Sequence, residues 1–201
     1  MTMDVKERIL EHVKREGIEE AFVRKDLLAI ASGGVIGVAL SRLVKEGKIR
    51  RIGRGLFDCP KFSKFLGEAV APDIDKVAQA IARKHRWTIS PDGATAANAL
   101  GLSQQVPAQI VYLSDGPTRL VSMGRRKISF RHASPKDLKM QHYSSRFIAQ
   151  ALHFLGKENV NSEVIVQLRR DIPAKDRDAF LDDTRYGTGW IHDVAKRLKE
   201  E

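Results

Sequence analysis

The chain has 201 residues, enough for one large domain or two small ones, each with its own core. Hydrophobic residues make up 42% and charged residues 30% of it, as in globular proteins. No apolar run approaches the roughly 20 residues that span a bilayer. The N-terminus lacks a signal-peptide pattern, so we expect a cytoplasmic protein. The single cysteine, Cys59, excludes an internal disulfide and a multi-cysteine zinc site.

The net charge is +10 at pH 7, which favours a polyanionic partner, most often nucleic acid. The positions of the bases are more informative than their number. Residues 42–64 contain eight lysines and arginines and only two acids, Glu46 and Asp58. Residues 119–146 again contain eight bases, and Asp137 is the one acid among them.

The first 60 residues predict a series of short elements. Asp4 can cap a helix that continues to about Glu16 and is ended by Gly17. There follow an extended piece at 21–23, a short helix at 24–31, a turn at 32–34 and a helix at 35–46. Residues 48–58 combine apolar residues, arginines and two turn glycines, which predicts a basic β-hairpin.

This order of elements is typical of a winged helix-turn-helix domain, which we place at residues 1–60. In that fold the last helix enters the major groove, and the hairpin lies along the backbone or the minor groove. The candidate DNA-binding residues are Ser32, Gly33 and Gly34 at the helix start, Ser41, Arg42 and Lys45 on its free side, and Arg50, Arg51 and Arg54 in the hairpin. The glycines either let the backbone approach DNA or reflect tight packing, and the sequence leaves both readings open.

The remainder of the chain predicts a connector and a second domain, so that the fold class is α+β. Residues 61–72 are too apolar for a free linker, and we expect them to pack on a domain. Residues 73–201 predict a mixed domain with a helix at 73–85, a second helix capped by Asp92, a small β-sheet and a helical C-terminus. Arg125, Arg126 and Lys127 lie at a strand turn there. They could extend the DNA footprint, bind an acidic protein or be merely solvated.

Two blocks of the sequence resemble a known family. Residues 39–58, which contain Lys48-Ile-Arg-Arg-Ile-Gly-Arg-Gly-Leu-Phe-Asp, resemble the winged-helix region of AbiEi-type antitoxins of bacterial type IV toxin–antitoxin and abortive-infection systems. Residues 91–107, followed by Ile110-Val-Tyr-Leu-Ser-Asp-Gly, resemble the antitoxin domain that follows in the same family. The hairpin arginines Arg50, Arg51 and Arg54 correspond directly to the wing residues of that family. Residues 33–37 are less polar than a base-reading helix start should be, so the operator sequence is not predicted.

The resemblance implies a DNA-binding autorepressor that acts as an antitoxin. Its partners would be double-stranded DNA at its own promoter, as an inverted repeat, and a nucleotidyltransferase-like toxin that it counteracts without a stable complex. Two alternatives remain open. The protein could neutralise its toxin by direct binding through the basic face of the second domain, or it could be a stand-alone winged-helix regulator with no toxin.

We expect no enzymatic activity, cofactor or metal. Pro91-Asp92 resembles the start of a nuclease motif, but the following strands lack the acid-x-Lys that would hold the metal. The histidines show no ligand spacing, and there is no phosphate-binding loop or nucleophile elbow.

Overall fold

The structure is a computed structural model, and it describes residues 4–65, 67–123, 126–134, 138–187 and 189–200. Its mixture of helices and small sheets confirms the α+β class. By their contacts the residues form two compact units, one of residues 1–87 with 122–127 and one of residues 88–121 with 128–201. None of the helices in the described ranges has the length and apolar character that crossing a bilayer requires.

The first unit begins with α1 (Val5–Arg15), β1 (Phe22–Val23), a 3₁₀ turn (Arg24–Leu27), α2 (Gly33–Lys45), β2 (Arg50–Gly53) and β3 (Leu56–Asp58). The strands form an antiparallel sheet in the order β1-β3-β2. The predicted helices at 4–16 and 35–46 and the predicted hairpin are confirmed, although α2 begins two residues earlier than expected. Gly33 and Gly34 therefore lie in its first turn and not in the loop before it.

The predicted helix at 24–31 is wrong beyond its first turn. Only the 3₁₀ turn forms, with Leu27 fully buried, whereas Leu28 is 54% exposed. The Asp26 carboxylate accepts the backbone N–H of Val23 at 2.9 Å, which fixes the start of this turn. Ile30 and Ala31 still pack against the core, but the segment reaches it through turns and not through a continued helix.

The core of the first unit lies between α1, α2 and the small sheet. Ile9 and Val13 of α1 face Ile36, Leu40 and Leu43 of α2, and all five side chains are at most 3% exposed. The aromatic rings of Phe22 in β1 and Phe57 in β3 stack across the sheet with centroids 5.9 Å apart. The spacing of these residues along each helix predicts this burial.

The helix α3 (Ile74–His85) belongs to the first unit, so the predicted domain boundary at residue 73 lies too early. Arg83 of α3 forms an ion pair with Asp26 at 3.2 Å and donates a hydrogen bond to the carbonyl of Ala21 at 2.9 Å. Lys84 donates to the carbonyl of Arg54 at 3.2 Å. These long-range contacts join α3 to elements some 30 to 60 positions earlier, which local patterns do not reveal.

The predicted connector forms a small antiparallel hairpin of β4 (Phe62–Ser63) and β5 (Glu68–Ala69). Its apolar side chains do not pack as expected, because Phe62 is 67% and Phe65 is 96% exposed. The expectation that hydrophobic content would press this segment onto a domain is therefore wrong for these residues. A hairpin this short satisfies its own backbone groups and has no second face to bury.

The rest of the chain contains β6 (Ile89–Pro91), α4 (Gly93–Ala99), β7 (Ile110–Ser114), β8 (Arg119–Met123), β9 (Arg126–His132), α5 (Tyr143–Leu155), α6 (Ser162–Asp171), α7 (Ala174–Thr184) and α8 (Gly189–Lys199). These elements belong to the second unit, except for the end of β8 and the start of β9, which are counted with the first. The sheet order is β6-β7-β9-β8, with β7 and β9 parallel. The Asp92 carboxylate accepts the N–H of Thr95 at 2.9 Å, which confirms its predicted role as the cap of α4. Leu152, Leu168 and Phe180 lie at the centre of the helical core.

Candidate nucleic-acid interface

The helix α2 has two faces of opposite character. Its inner face carries the buried residues Ile36, Leu40 and Leu43. Its outer face carries five side chains at helical spacing, all of them exposed: Val35, Val38, Ser41, Arg42 and Lys45. The structure thus places the predicted residues Ser41, Arg42 and Lys45 on one solvent-facing side, and it adds two valines that the sequence did not single out.

The N-terminus of α2 is open to solvent and lacks a side-chain cap. Ser32 occupies the cap position, but its hydroxyl accepts no backbone N–H, so the first-turn N–H groups have no partner from this side chain. A Cβ on Gly34 would meet no atom within 4 Å. A Cβ on Gly33 would lie 2.7 Å from the guanidinium of Arg24, which donates a hydrogen bond to the Gly33 carbonyl. A side chain at position 33 would displace the end of the flexible Arg24 side chain, whereas one at position 34 would meet nothing.

The β2–β3 hairpin exposes two of its three arginines. Arg51 and Arg54 are solvent-facing, and the Arg51 Nε donates to the Gly53 carbonyl at 3.3 Å inside the turn. Gly55 has a φ of +70°, a conformation that glycine adopts without strain. The hairpin is therefore a tight turn with two cations at its surface.

The third hairpin arginine, Arg50, has a structural partner that the sequence analysis missed. Its guanidinium binds the Asp58 carboxylate through two nitrogens, with Nε to Oδ1 at 3.1 Å and Nη2 to Oδ2 at 2.5 Å. It also donates to the carbonyl of Val70 at 2.9 Å. The hydrogen bond to Asp58 raises the pKa of Arg50, and only 4% of the Asp58 side chain is exposed. Arg50 thus braces the hairpin, and its charge is already compensated.

The bases of the first unit divide into those with acidic partners and those without. The bases with partners form the pairs Lys6–Glu46, Arg15–Glu16, Lys48–Glu46, Arg50–Asp58, Lys61–Glu20 and Arg83–Asp26. Within the part of the chain that the structure describes, the exposed bases Arg42, Lys45, Arg51 and Arg54 make no ion pair. The outer face of α2 and the hairpin turn thus carry four exposed positive charges without an ion pair, which suits a surface for polyanions.

The possible second basic patch is smaller than the sequence indicates. Arg126 and Lys127 are exposed at the start of β9, and Arg125 lies outside the described residues. Arg146 is 9% exposed and donates to the carbonyls of Ile89 and Gln141 at 3.0 Å each, so it serves the interior of the second unit. Burial lowers the pKa of Arg146. Arg146 therefore does not contribute to a basic surface, although it belongs to the basic segment 119–146.

Among the described residues, the nucleophilic and metal-ligating side chains discussed next are partly buried or make structural contacts. No group of three or more histidines, cysteines or acids among them is placed to hold a metal ion. Burial, with the charges of Asp58 and Glu19, raises the pKa of the Cys59 thiol to about 11, so it is not a thiolate near neutral pH. His142 contacts the Asp183 carboxylate at 3.1 Å, and His132 contacts the carbonyl of Gly116 at 3.0 Å.

These features define an α+β protein whose N-terminal unit carries an uncompensated basic surface on one helix and one hairpin. A family model described as a family of unknown function, DUF6088, matches residues 8–178, and the chain belongs to this family. No curated protein is significantly similar to the chain. Among solved structures it is similar to the crystal structure of the RV2827C protein from Mycobacterium tuberculosis, with 15% identity, a TM-score of 0.44, and coverage of 99% of this chain and 77% of that one.

The ion pair under the hairpin yields a test of stability. Replacing Asp58 with Ala leaves the Arg50 guanidinium in a half-buried site without its acceptor, and we expect the free energy of unfolding to fall by about 2 kcal/mol. The matched variant Arg51→Ala removes an exposed arginine on the same strand and should change it by less than about 0.5 kcal/mol. Urea unfolding followed by circular dichroism measures both. Equal stabilities for the two variants would contradict the bracing role of Arg50.

Proposed function

We propose that the protein is a DNA-binding transcriptional regulator. In this proposal the first unit is a winged helix-turn-helix, with α2 as the recognition helix and the β2–β3 hairpin as the wing. One observation carries the proposal: these two elements together expose four bases, Arg42, Lys45, Arg51 and Arg54, that have no acidic partner among the described residues. The order of helices and strands supports it, although a single 3₁₀ turn stands where such domains usually have a second helix.

The proposed division of labour follows from the chemistry of each group. Arg42 and Lys45 neutralise phosphates beside the major groove, and Arg51 and Arg54 do so along the backbone or in the minor groove. The open first turn of α2 at Ser32 and Gly34 offers free N–H groups to a phosphate. Arg50 contributes by holding the hairpin in shape, because its guanidinium is engaged with Asp58.

The biological role in the proposal is autorepression by an antitoxin. It rests on the resemblance of residues 39–58 and 91–116 to AbiEi-type antitoxins, which implies an operon with a nucleotidyltransferase-like toxin. The alternative of toxin capture through a basic face of the second unit loses support, because Arg146 faces the interior. Co-expression with the product of the neighbouring gene tests this role: growth should be rescued, and the two proteins should not co-purify. A stable complex would favour direct neutralisation, and an operon without a toxin would leave a stand-alone regulator.

The first test of DNA binding is a titration of the full chain against its own upstream DNA and a scrambled duplex of equal length, at two salt concentrations. A regulator binds its own sequence more tightly at both salts, because base contacts add to the phosphate contacts. Equal affinity for both duplexes would reduce the basic surface to general charge attraction and overturn the proposal.

The wing makes a separate prediction about salt. The double variant Arg51→Ala with Arg54→Ala should weaken binding to all sequences alike and flatten the slope of log K against log salt by about 2, since each phosphate contact contributes about 0.9. The control is Lys157→Ala with Lys175→Ala, which removes two exposed charges from the second unit. An equal effect of both double variants would indicate a response to net charge and would refute the assignment of the wing.

Gly34 separates a DNA role from a packing role. Alanine has the better helix propensity and meets no neighbour at this position, so Gly34→Ala should raise the free energy of unfolding by roughly 0.5 kcal/mol. If the backbone approaches DNA here, the same variant binds DNA several-fold more weakly. Gly189→Ala is the matched control, because Gly189 begins α8 of the second unit and is equally free of neighbours. Unchanged DNA affinity in Gly34→Ala would remove Gly34 from the interface.

A further inference from the structure

Two exposed valines lie in the first two turns of α2, on the face that carries Arg42 and Lys45 in its last turn. Val35 is 46% and Val38 is 55% exposed, and they are one helical turn apart on the side that also carries Arg42. A single exposed valine needs no explanation. Two on successive turns, next to uncompensated cations and opposite a well-formed core stripe, form a small apolar strip where solvation alone would favour polar side chains.

The other groups on α2 limit how it can distinguish bases. Its 13 residues include no Asn, Gln, Asp or Glu, so the amide contacts to adenine and the carboxylate contacts to cytosine are absent from this helix. Ser41, Arg42 and Lys45 are its only side chains able to form hydrogen bonds. Apart from these three residues, the side chains that α2 exposes are the apolar Val35 and Val38. In the major groove the C5-methyl group of thymine is the one apolar group that a base pair presents.

We propose that Val35 and Val38 read thymine methyl groups in the major groove of the operator. This inference rests on the proposed function and adds to it the bases that the helix selects. Gly34 carries no side chain that could hold the start of α2 away from the groove, and residues in the first two turns of a recognition helix are those that reach base edges. The operator should therefore contain thymines at the positions that α2 covers.

Charge favours DNA over a second copy of this chain as the occupant of the strip. Arg42 and Lys45 flank the valines and have no acidic partner among the described residues, so pairing two such faces would bring like charges together. The depression beside the strip is lined by Asp4, Val5, Lys6, Ser32, Gly34, Val35, Val38, Ala39 and Arg42. Asp4, the one acid of this lining, lies 3.9 Å from the ammonium of Lys6, which also pairs with Glu46. DNA supplies both the opposite charge and the methyl groups.

The test compares duplexes that differ only in methyl groups. Footprinting of the upstream DNA first defines the bound segment, which is then synthesised with thymidine or with deoxyuridine at every thymine. Loss of a contacted methyl group should weaken binding about 4-fold, and loss of both about 15-fold. Replacing thymines one at a time should confine the effect to the positions under α2.

The same comparison is then made with variants of the protein. Val35→Ala with Val38→Ala should bind the thymidine duplex as weakly as the natural protein binds the deoxyuridine duplex, and it should no longer distinguish the two. Val166→Ala, which shortens a valine that is 64% exposed on α6 of the second unit, should keep the full thymidine preference. All the changed side chains are exposed, so the thermal midpoints should stay close to that of the natural protein.

The outcomes separate this inference from the proposed function. Equal affinity for the two duplexes, with the scrambled duplex still rejected, would overturn thymine recognition and leave the DNA-binding regulator standing. A double valine variant that still prefers thymidine would also overturn it. A dimer in sedimentation that the variant dissociates would assign the strip to self-association instead. Failure to distinguish the upstream DNA from the scrambled duplex would remove both proposals.

Discussion

The burial of one stripe of α2 is the contact on which the candidate interface depends. Ile36, Leu40 and Leu43 are enclosed by α1 and by the aromatic pair of the small sheet. A helix that buries these three residues has little freedom to rotate, because rotation would bring part of this apolar stripe into the solvent. The core thus determines which side chains of α2 meet the solvent, and it presents Val35, Val38, Arg42 and Lys45 together.

The positions of the paired acids are a second determinant of the surface charge of the first unit. Asp58, Asp26, Glu20 and Glu46 each accompany a base that has a structural task, such as bracing the hairpin or attaching α3. None of these four acids pairs with the bases at the hairpin turn or on the outer face of α2 in the described ranges. The positive potential at these positions is therefore a property of the fold, and the net charge of the chain by itself does not imply it.

The proposed interface separates affinity from selectivity. Cations at the rim, on flexible side chains, suit phosphates, which are the same at every base pair. The short, stiff valines near the helix start have one preferred rotamer in a helix and suit a contact that depends on shape. The small residues around them keep the backbone close to the groove, so the apolar contacts do not compete with side chains of greater reach.

The sequence by itself determined the α+β class, the limits of α1 and α3, the hairpin, the Asp92 cap and the inner stripe of α2. All of these follow from local spacing, from caps and from turn glycines, which act over a few residues. Only the tertiary structure decided that Arg50 pairs with Asp58, that Arg146 is buried and that α3 joins the first unit. Local sequence patterns do not reveal these contacts, because they depend on which residues the folded chain brings together. The same is true of Gly33 and Gly34: they are neighbours with one residue type, but Arg24 occupies the space beside the first and nothing occupies the space beside the second. A local sequence pattern indicates which secondary structure a residue favours. The neighbours that give the residue its role are present only once the chain has folded.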